Sequence, residues 1–159
     1  MRKFAEGTTV GAGRTKGEIE DMLLSRGVEQ FGTMADAGSA TIMFSNQKLT
    51  YRITMQLPDR EDPAFTDYKQ GSVTYRRSEA QIDERFSKEL NRKWRALAAV
   101  IKAKLIAVEE GITTFEDEFL AHVVTNTGQT LGERMIPHIK QEALEGNLPT
   151  TLSLGGRKK

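Results

Sequence analysis

A chain of 159 residues, 38% hydrophobic and 28% charged, has the composition of one globular domain with its own core and is short for two. No apolar run approaches the roughly 20 residues of a membrane-spanning helix, the basic start Met1-Arg2-Lys3 leads into no apolar signal segment, and a chain without cysteine forms no disulfide or thiolate metal site. The net charge of +1 is uninformative, but residues 69 to 104 hold ten Lys/Arg against four acids and residues 105 to 119 hold five acids and no base, a segregation that suits an anionic partner.

The first ten residues read as an edge strand or an unfixed arm, which Gly11-Ala12-Gly13 separates from a short helix. Thr15 with Glu18 spells a capping box, Ile19, Met22 and Leu23 give an apolar face, and Gly27 marks the stop. Three strands follow. Val28 to Met34 is the first, Ala35-Asp36-Ala37-Gly38 turns the chain, and Ala40, Ile42 and Phe44 alternate with Thr41, Met43 and Ser45. After Ser45-Asn46-Gln47, the apolar positions Leu49, Tyr51, Ile53, Met55 and Leu57 alternate with Lys48, Thr50, Arg52, Thr54 and Gln56, the period of a half-buried strand. One sheet face is expected beneath a long helix, and the other carries Lys48 and Arg52 toward solvent.

Pro58 to Arg77 shows no periodicity and reads as an irregular loop. Ser78 with Gln81 then caps a helix running to about Glu110, with Gly111 as its stop. Its apolar positions Ile82, Phe86, Leu90, Trp94, Leu97, Ile101, Leu105 and Val108 recur every three or four residues and mark the core face. Arg85, Lys88, Arg92, Arg95 and Lys102 fall on the opposite side. Beyond Gly111 come a short acidic helix capped by Thr114 with Asp117, a strand around His122 to Thr125, and a turn at Asn126-Thr127-Gly128. A last helix, capped by Thr130 with Glu133, has Leu131, Met135, Ile139 and Ala143 as its apolar side and Pro137 as an expected kink or shifted start. The fold class is α+β: an antiparallel three- to four-stranded sheet packed on one long amphipathic helix, with a short N-terminal helix and a helical C-terminal region. Residues 1–146 form a single domain, followed by a flexible basic tail over 147–159.

The candidate site is a phosphate-tracking surface. It combines the helix cations Arg85, Lys88, Arg92, Arg95 and Lys102 with Lys48 and Arg52 of the sheet and Arg76 and Arg77 of the loop, with Tyr75 or Tyr68 offered to bases for stacking. The same basic stripe is also what an ordinary solvated helix carries. Gly11-Ala12-Gly13-Arg14 lacks the Lys-Ser/Thr of a phosphate-binding loop. His122 and His138, near Glu116, Asp117 and Glu118, have no recognisable metal-ligand spacing. No catalytic residue, metal or cofactor is assigned.

Three resemblances bear on function. The order helix, three strands, helix resembles the double-stranded-RNA-binding domain in topology, although that family's second helix starts with a basic cluster and this one starts Ser78-Glu79-Ala80-Gln81. With a strand near His122 added, the order resembles the core of PD-(D/E)xK nucleases, and Pro58-Asp59 and Asp67-Tyr68-Lys69 spell pieces of their motif. That family's acids sit on the central hairpin, whereas residues 39–45 and 48–57 here hold no Asp or Glu. Finally, Arg92-Lys93-Trp94-Arg95-Ala96-Leu97, Val100-Ile101-Lys102-Ala103-Lys104-Leu105 and Val108-Glu109-Glu110-Gly111-Ile112-Thr113-Thr114-Phe115-Glu116-Asp117-Glu118-Phe119-Leu120, continuing through Asn126-Thr127-Gly128-Gln129-Thr130, resemble small uncharacterised proteins of bacteriophages and prophages. That resemblance implies a protein acting in the bacterial cytoplasm. The expected function is a non-catalytic phage accessory protein of replication or recombination that binds single- or double-stranded DNA. The alternatives are a phage protein that binds and inhibits a host defence or nucleic-acid-processing protein and, third, a divergent metal-dependent nuclease.

Overall fold

The computed structural model describes residues 4–148, with residues 4–10 described by their backbone alone. From residue 149 on, the expected basic tail lies outside the described residues. The fold is α+β. In chain order it consists of α1 (Phe4–Leu24), β1 (Gln30–Ala35), β2 (Ser39–Asn46), β3 (Leu49–Gln56), α2 (Pro63–Thr66), β4 (Asp67–Gln70), β5 (Val73–Arg76), α3 (Glu79–Glu109), α4 (Phe115–Phe119), a 3-10 turn at Leu120–His122, and α5 (Leu131–Leu144). The strands β1, β2 and β3 form one antiparallel sheet in that order, and β4 and β5 form a separate hairpin.

The alternation read in the sequence sets the sheet's buried face. Phe44 lies opposite Tyr51, Ile42 opposite Ile53 and Ala40 opposite Met55, so both apolar series fall on one side and cross-strand pairs fix the register. Gln47 and Lys48 join β2 to β3 with φ of 48° and 68°, the left-handed pair that a two-residue hairpin turn requires. Against this face lies a core in which α3 contributes Trp94, Ile101 and Leu105, α1 contributes Ile19 and Leu23, and α4 contributes Phe115 and Phe119. The Phe44 and Tyr51 rings stack at 5.1 Å, and Phe119 meets them edge-on at 5.4 and 6.0 Å. The capping box of Ser78 and Gln81 is formed, and Gly111 ends the segment with φ of 68°.

The N-terminal region differs from the expectation. Residues from Phe4 on are helical, Gly11 and Gly13 lie within α1 rather than breaking it, and Thr15 is a buried mid-helix residue whose hydroxyl donates to the Gly11 carbonyl at 3.3 Å. The cause is tertiary. A Cβ on Gly11 would stand 2.7 Å from the Asn91 Oδ1 of α3, so glycine here permits two helices to approach closely, and burial against α3 overrides glycine's poor helix propensity. The core face of the sheet is therefore covered by two helices, α1 and α3, rather than by the long one alone.

The segment 58–77 also differs, because it is ordered as a helical turn and a hairpin. Asp62 caps α2, accepting from the Ala64 N–H at 2.8 Å with Pro63 in the first turn, and Gly71 turns the hairpin with φ of 62°. Every residue of β5, and all of β4 except Asp67, is exposed, so no alternation could announce the strands. The fourth strand expected at His122 to Thr125 reduces to isolated bridges, Val123 to Tyr51 and Val124 to Thr130; His122 itself belongs to the 3-10 turn. In α5 the cap of Thr130 and Glu133 is formed and the helix runs through Pro137, but its expected apolar side is not buried. Gly132 packs against Ala121, while Met135 and Ile139 remain 45% and 47% exposed.

Candidate nucleic-acid interface

Because Ile82, Trp94, Ile101 and Leu105 point α3 into the core, its opposite side is held in solvent. Arg85, Lys88, Arg92, Arg95 and Lys102 are all exposed there. The segment 58–66 then folds back beside the first turns of α3 and supplies a wall. Arg60 fastens it, donating to Glu79 at 2.6 Å, to Asp83 at 2.5 Å and to Glu61 at 2.8 Å; these partners, Glu79 first, raise the guanidinium's pKa further above its usual range. Phe65 of α2 meets Phe86 of α3 edge-on at 6.2 Å. Between α2 and α3 this leaves an open groove of about 480 Å³, lined by Ala64, Phe65, Arg85, Lys88, Glu89, Arg92 and Arg95.

The groove's charge is unevenly committed. Lys88 pairs with Glu84 at 2.6 Å and Arg92 with Glu89 at 2.6 Å, both within α3, and the hydrogen bond from each cation holds its carboxylate below the usual pKa. Arg85 and Arg95 make no ion pair with any described residue. Four cations and one lining carboxylate leave a positive groove whose two unpaired guanidinium groups are presented to solvent, with five N–H donors each and a geometry that matches phosphate oxygens. Lys102 extends the same side of α3 by two turns, roughly 10 Å beyond Arg95.

The remaining candidates are distributed elsewhere. Tyr75, Arg76 and Arg77 lie on or beside the β4–β5 hairpin, which adjoins the groove across α2. Arg76 pairs with Glu61 at 3.1 Å. Arg77 is structural in this setting: its guanidinium donates to the backbone carbonyls of Phe65 and Asp67 and lies 5.6 Å from the centre of the Tyr68 ring. Arg52 is also occupied, donating to the Gly128 carbonyl at 2.9 Å and to Glu133 at 2.8 Å, and so it ties β3 to the cap of α5. Lys48 sits at the tip of the β2–β3 turn, whereas α3 meets the other end of β3 through the Lys93 ammonium and the Gln56 carbonyl at 2.9 Å, roughly 26 Å away along the strand. The structure thus gathers Arg85, Lys88, Arg92 and Arg95, places Lys102, Tyr75 and Arg76 at their margins, and separates Lys48 and Arg52 from them.

Sequence reasoning missed the wall of the groove, Ala64 and Phe65, because no periodicity marks α2; the Asp62-Pro63 start was the one available signal. Asp59 and Asp67, which spelled pieces of a nuclease motif, help hold this loop together: Asp59 accepts from the Glu61 N–H at 2.9 Å and Asp67 from the Thr66 hydroxyl at 3.0 Å, while Asp62 caps α2. Among the described residues no group of three His, Asp or Glu side chains is placed to hold a metal ion. The Gly11-to-Arg14 stretch, lying inside α1, has no loop to offer a phosphate. Among the same residues, no helix is long and apolar enough to cross a membrane. No protein-family model, curated protein or solved structure matches the chain.

Proposed function

We propose that this protein is a nucleic-acid-binding accessory protein that engages the phosphate backbone in the groove between α2 and α3. The observation that carries the reading is the pairing state of the groove: four cations converge on it, and Arg85 and Arg95 are left without an ion pair among the described residues. An exposed helix that only needs solubility gains from pairing its charges at three- and four-residue spacing, as Lys88 and Arg92 do. Two further guanidinium groups on the same side, facing a wall built by a separate segment, suit a multivalent anion. Binding of this kind releases counterions and reads no sequence by itself. In the phage setting that the sequence resemblance implies, a non-catalytic partner of replicating or recombining DNA has this character.

The test is fluorescence anisotropy with labelled DNA, comparing the full chain with Arg85→Ala/Arg95→Ala. Both side chains are exposed and without an ion pair among the described residues, so folding stability should stay within about 0.5 kcal/mol. The double variant should lose most of its affinity at low salt, while Arg134→Ala/Lys140→Ala on α5 binds as the native chain does. Equal binding by all three proteins would overturn the assignment of the groove.

A further inference from the structure

The β4–β5 hairpin does nothing for the core. Seven of its eight residues are exposed, and a two-stranded hairpin is marginal by itself in water. Yet the fold holds it firmly, through Arg77 bound to the carbonyls of Phe65 and Asp67 and through the ion pair of Arg76 with Glu61. What it presents is a pair of tyrosines. Tyr68 and Tyr75 are directly opposed across the strands, their rings stack at 5.6 Å with 26° between planes, and they remain 41% and 44% exposed. The Arg77 guanidinium beside Tyr68 fixes the pair in place. Two rings already ordered in the free protein lose little conformational freedom on meeting a ligand.

Tyr68 also stands close to the groove: Ala64 of α2 lines both the four-cation groove and a second open groove of about 670 Å³ that it shares with Pro63, Asp67, Tyr68, Lys69, Thr74 and Arg77. A single helical turn of four residues, about 6 Å long, separates a track for phosphates from the tyrosine pair; the two rings cover one face of each other and Arg77 lies over Tyr68, so the face left for a base is the outer one of Tyr75. A duplex shields its base faces by stacking them on one another and shows only their edges. An aromatic face therefore finds a partner only in unpaired bases, and it accepts any of them because every base has a π-face.

The geometry points to a single-stranded nucleic acid as the ligand, its phosphates in the α2–α3 groove and an unpaired base on the outer Tyr75 face of the Tyr68–Tyr75 platform. This rests on the phosphate-binding reading of the groove and adds the class of strand. The test uses the full chain and four labelled probes of equal length: oligo-dT, oligo-rU, an abasic strand, and a duplex. The native protein should bind oligo-dT or oligo-rU at least about five-fold more tightly than the abasic strand, the margin expected of one stacked base; which of the two is preferred identifies DNA or RNA as the source. Tyr68→Ala/Tyr75→Ala should erase that margin, and Tyr68→Phe/Tyr75→Phe should keep it. Equal binding of the base-bearing and abasic strands by the native protein overturns the platform while leaving the groove intact. Absence of binding to every probe at low salt overturns the groove and the platform together. If circular dichroism shows the alanine variant misfolded, the native comparison and the phenylalanine variant decide alone.

Discussion

Gly11, Gly13 and Gly17 all lie inside α1, and their alanine variants should behave in opposite ways. A glycine in a helix interior costs roughly 0.8–1 kcal/mol relative to alanine. At Gly13 and Gly17 an added Cβ meets nothing within 4 Å, so each replacement should return most of that amount, raising the melting temperature by about 2–4 °C for a chain of this size. At Gly11 the same Cβ would stand 2.7 Å from Asn91 Oδ1, 2.8 Å from its Nδ2 and 2.9 Å from its Cγ. The Asn91 amide oxygen is buried, so the amide must turn out of its place between α1 and α3 to make room. Overpacking of this kind costs about 1–3 kcal/mol, which cancels or exceeds the gain in propensity. Gly11→Ala should therefore be neutral to destabilising by about 2 kcal/mol. The clash and its relief make a double-mutant cycle: with Asn91→Ala in the background, Gly11→Ala should become stabilising, with a coupling of about 1 kcal/mol or more. Urea unfolding followed by circular dichroism measures all of these. If Gly11→Ala stabilises as much as Gly13→Ala in the native background, the close approach of α1 to α3 at Gly11 is wrong.

Trp94→Ala should cost about 3–5 kcal/mol in the same urea assay, since the ring is 2% exposed in the shared core; partner binding should be retained wherever the variant remains folded. His122 is held below its ordinary pKa of 6.5 first by burial and then by Lys104, against a raising hydrogen bond with the Arg52 backbone. The folded state thus refuses a proton that the unfolded state accepts, so this contribution to stability is full above pH 6.5 and declines as pH falls below it. His122→Gln should flatten the dependence of melting temperature on pH in that window, and an unchanged profile would show that the imidazole is not the source. Ile139→Lys, on the exposed side of α5 at 47% exposure, should change stability by no more than about 0.5 kcal/mol. A loss well above 1 kcal/mol would mean that α5 is covered in solution.

Most of the fold was legible where one signal and its surroundings agreed. The stripe of α3, the alternation of β2 and β3 and the caps Ser78-Gln81, Thr114-Asp117 and Thr130-Glu133 all combine local chemistry with burial. Thr15 and Glu18 spell the same cap and form none, because a cap needs non-helical residues before it, and here the residues before Thr15 are helical. The β4–β5 hairpin was illegible for the opposite reason: its order comes from Arg77 and the stacked tyrosines, and its exposed strands carry no period. The site divides along similar lines. A basic face on α3 follows from helical geometry once the apolar stripe is known, so Arg85, Lys88, Arg92 and Arg95 could be read together. That Arg52 is taken by Glu133, 81 residues away in the chain, and that α2 walls the groove are facts of tertiary placement with no local signature.

The central claim is that Arg85 and Arg95 meet phosphates, and the most direct measurement is the slope of log K against log salt for a single-stranded oligonucleotide, with the native chain and with Arg85→Ala/Arg95→Ala. A strand contacting three or four of the groove's cations should give a native slope near −2 to −3, and removal of two contacts should make it shallower by about 1.4. Identical slopes, or no binding at low salt by the native chain, would contradict the account.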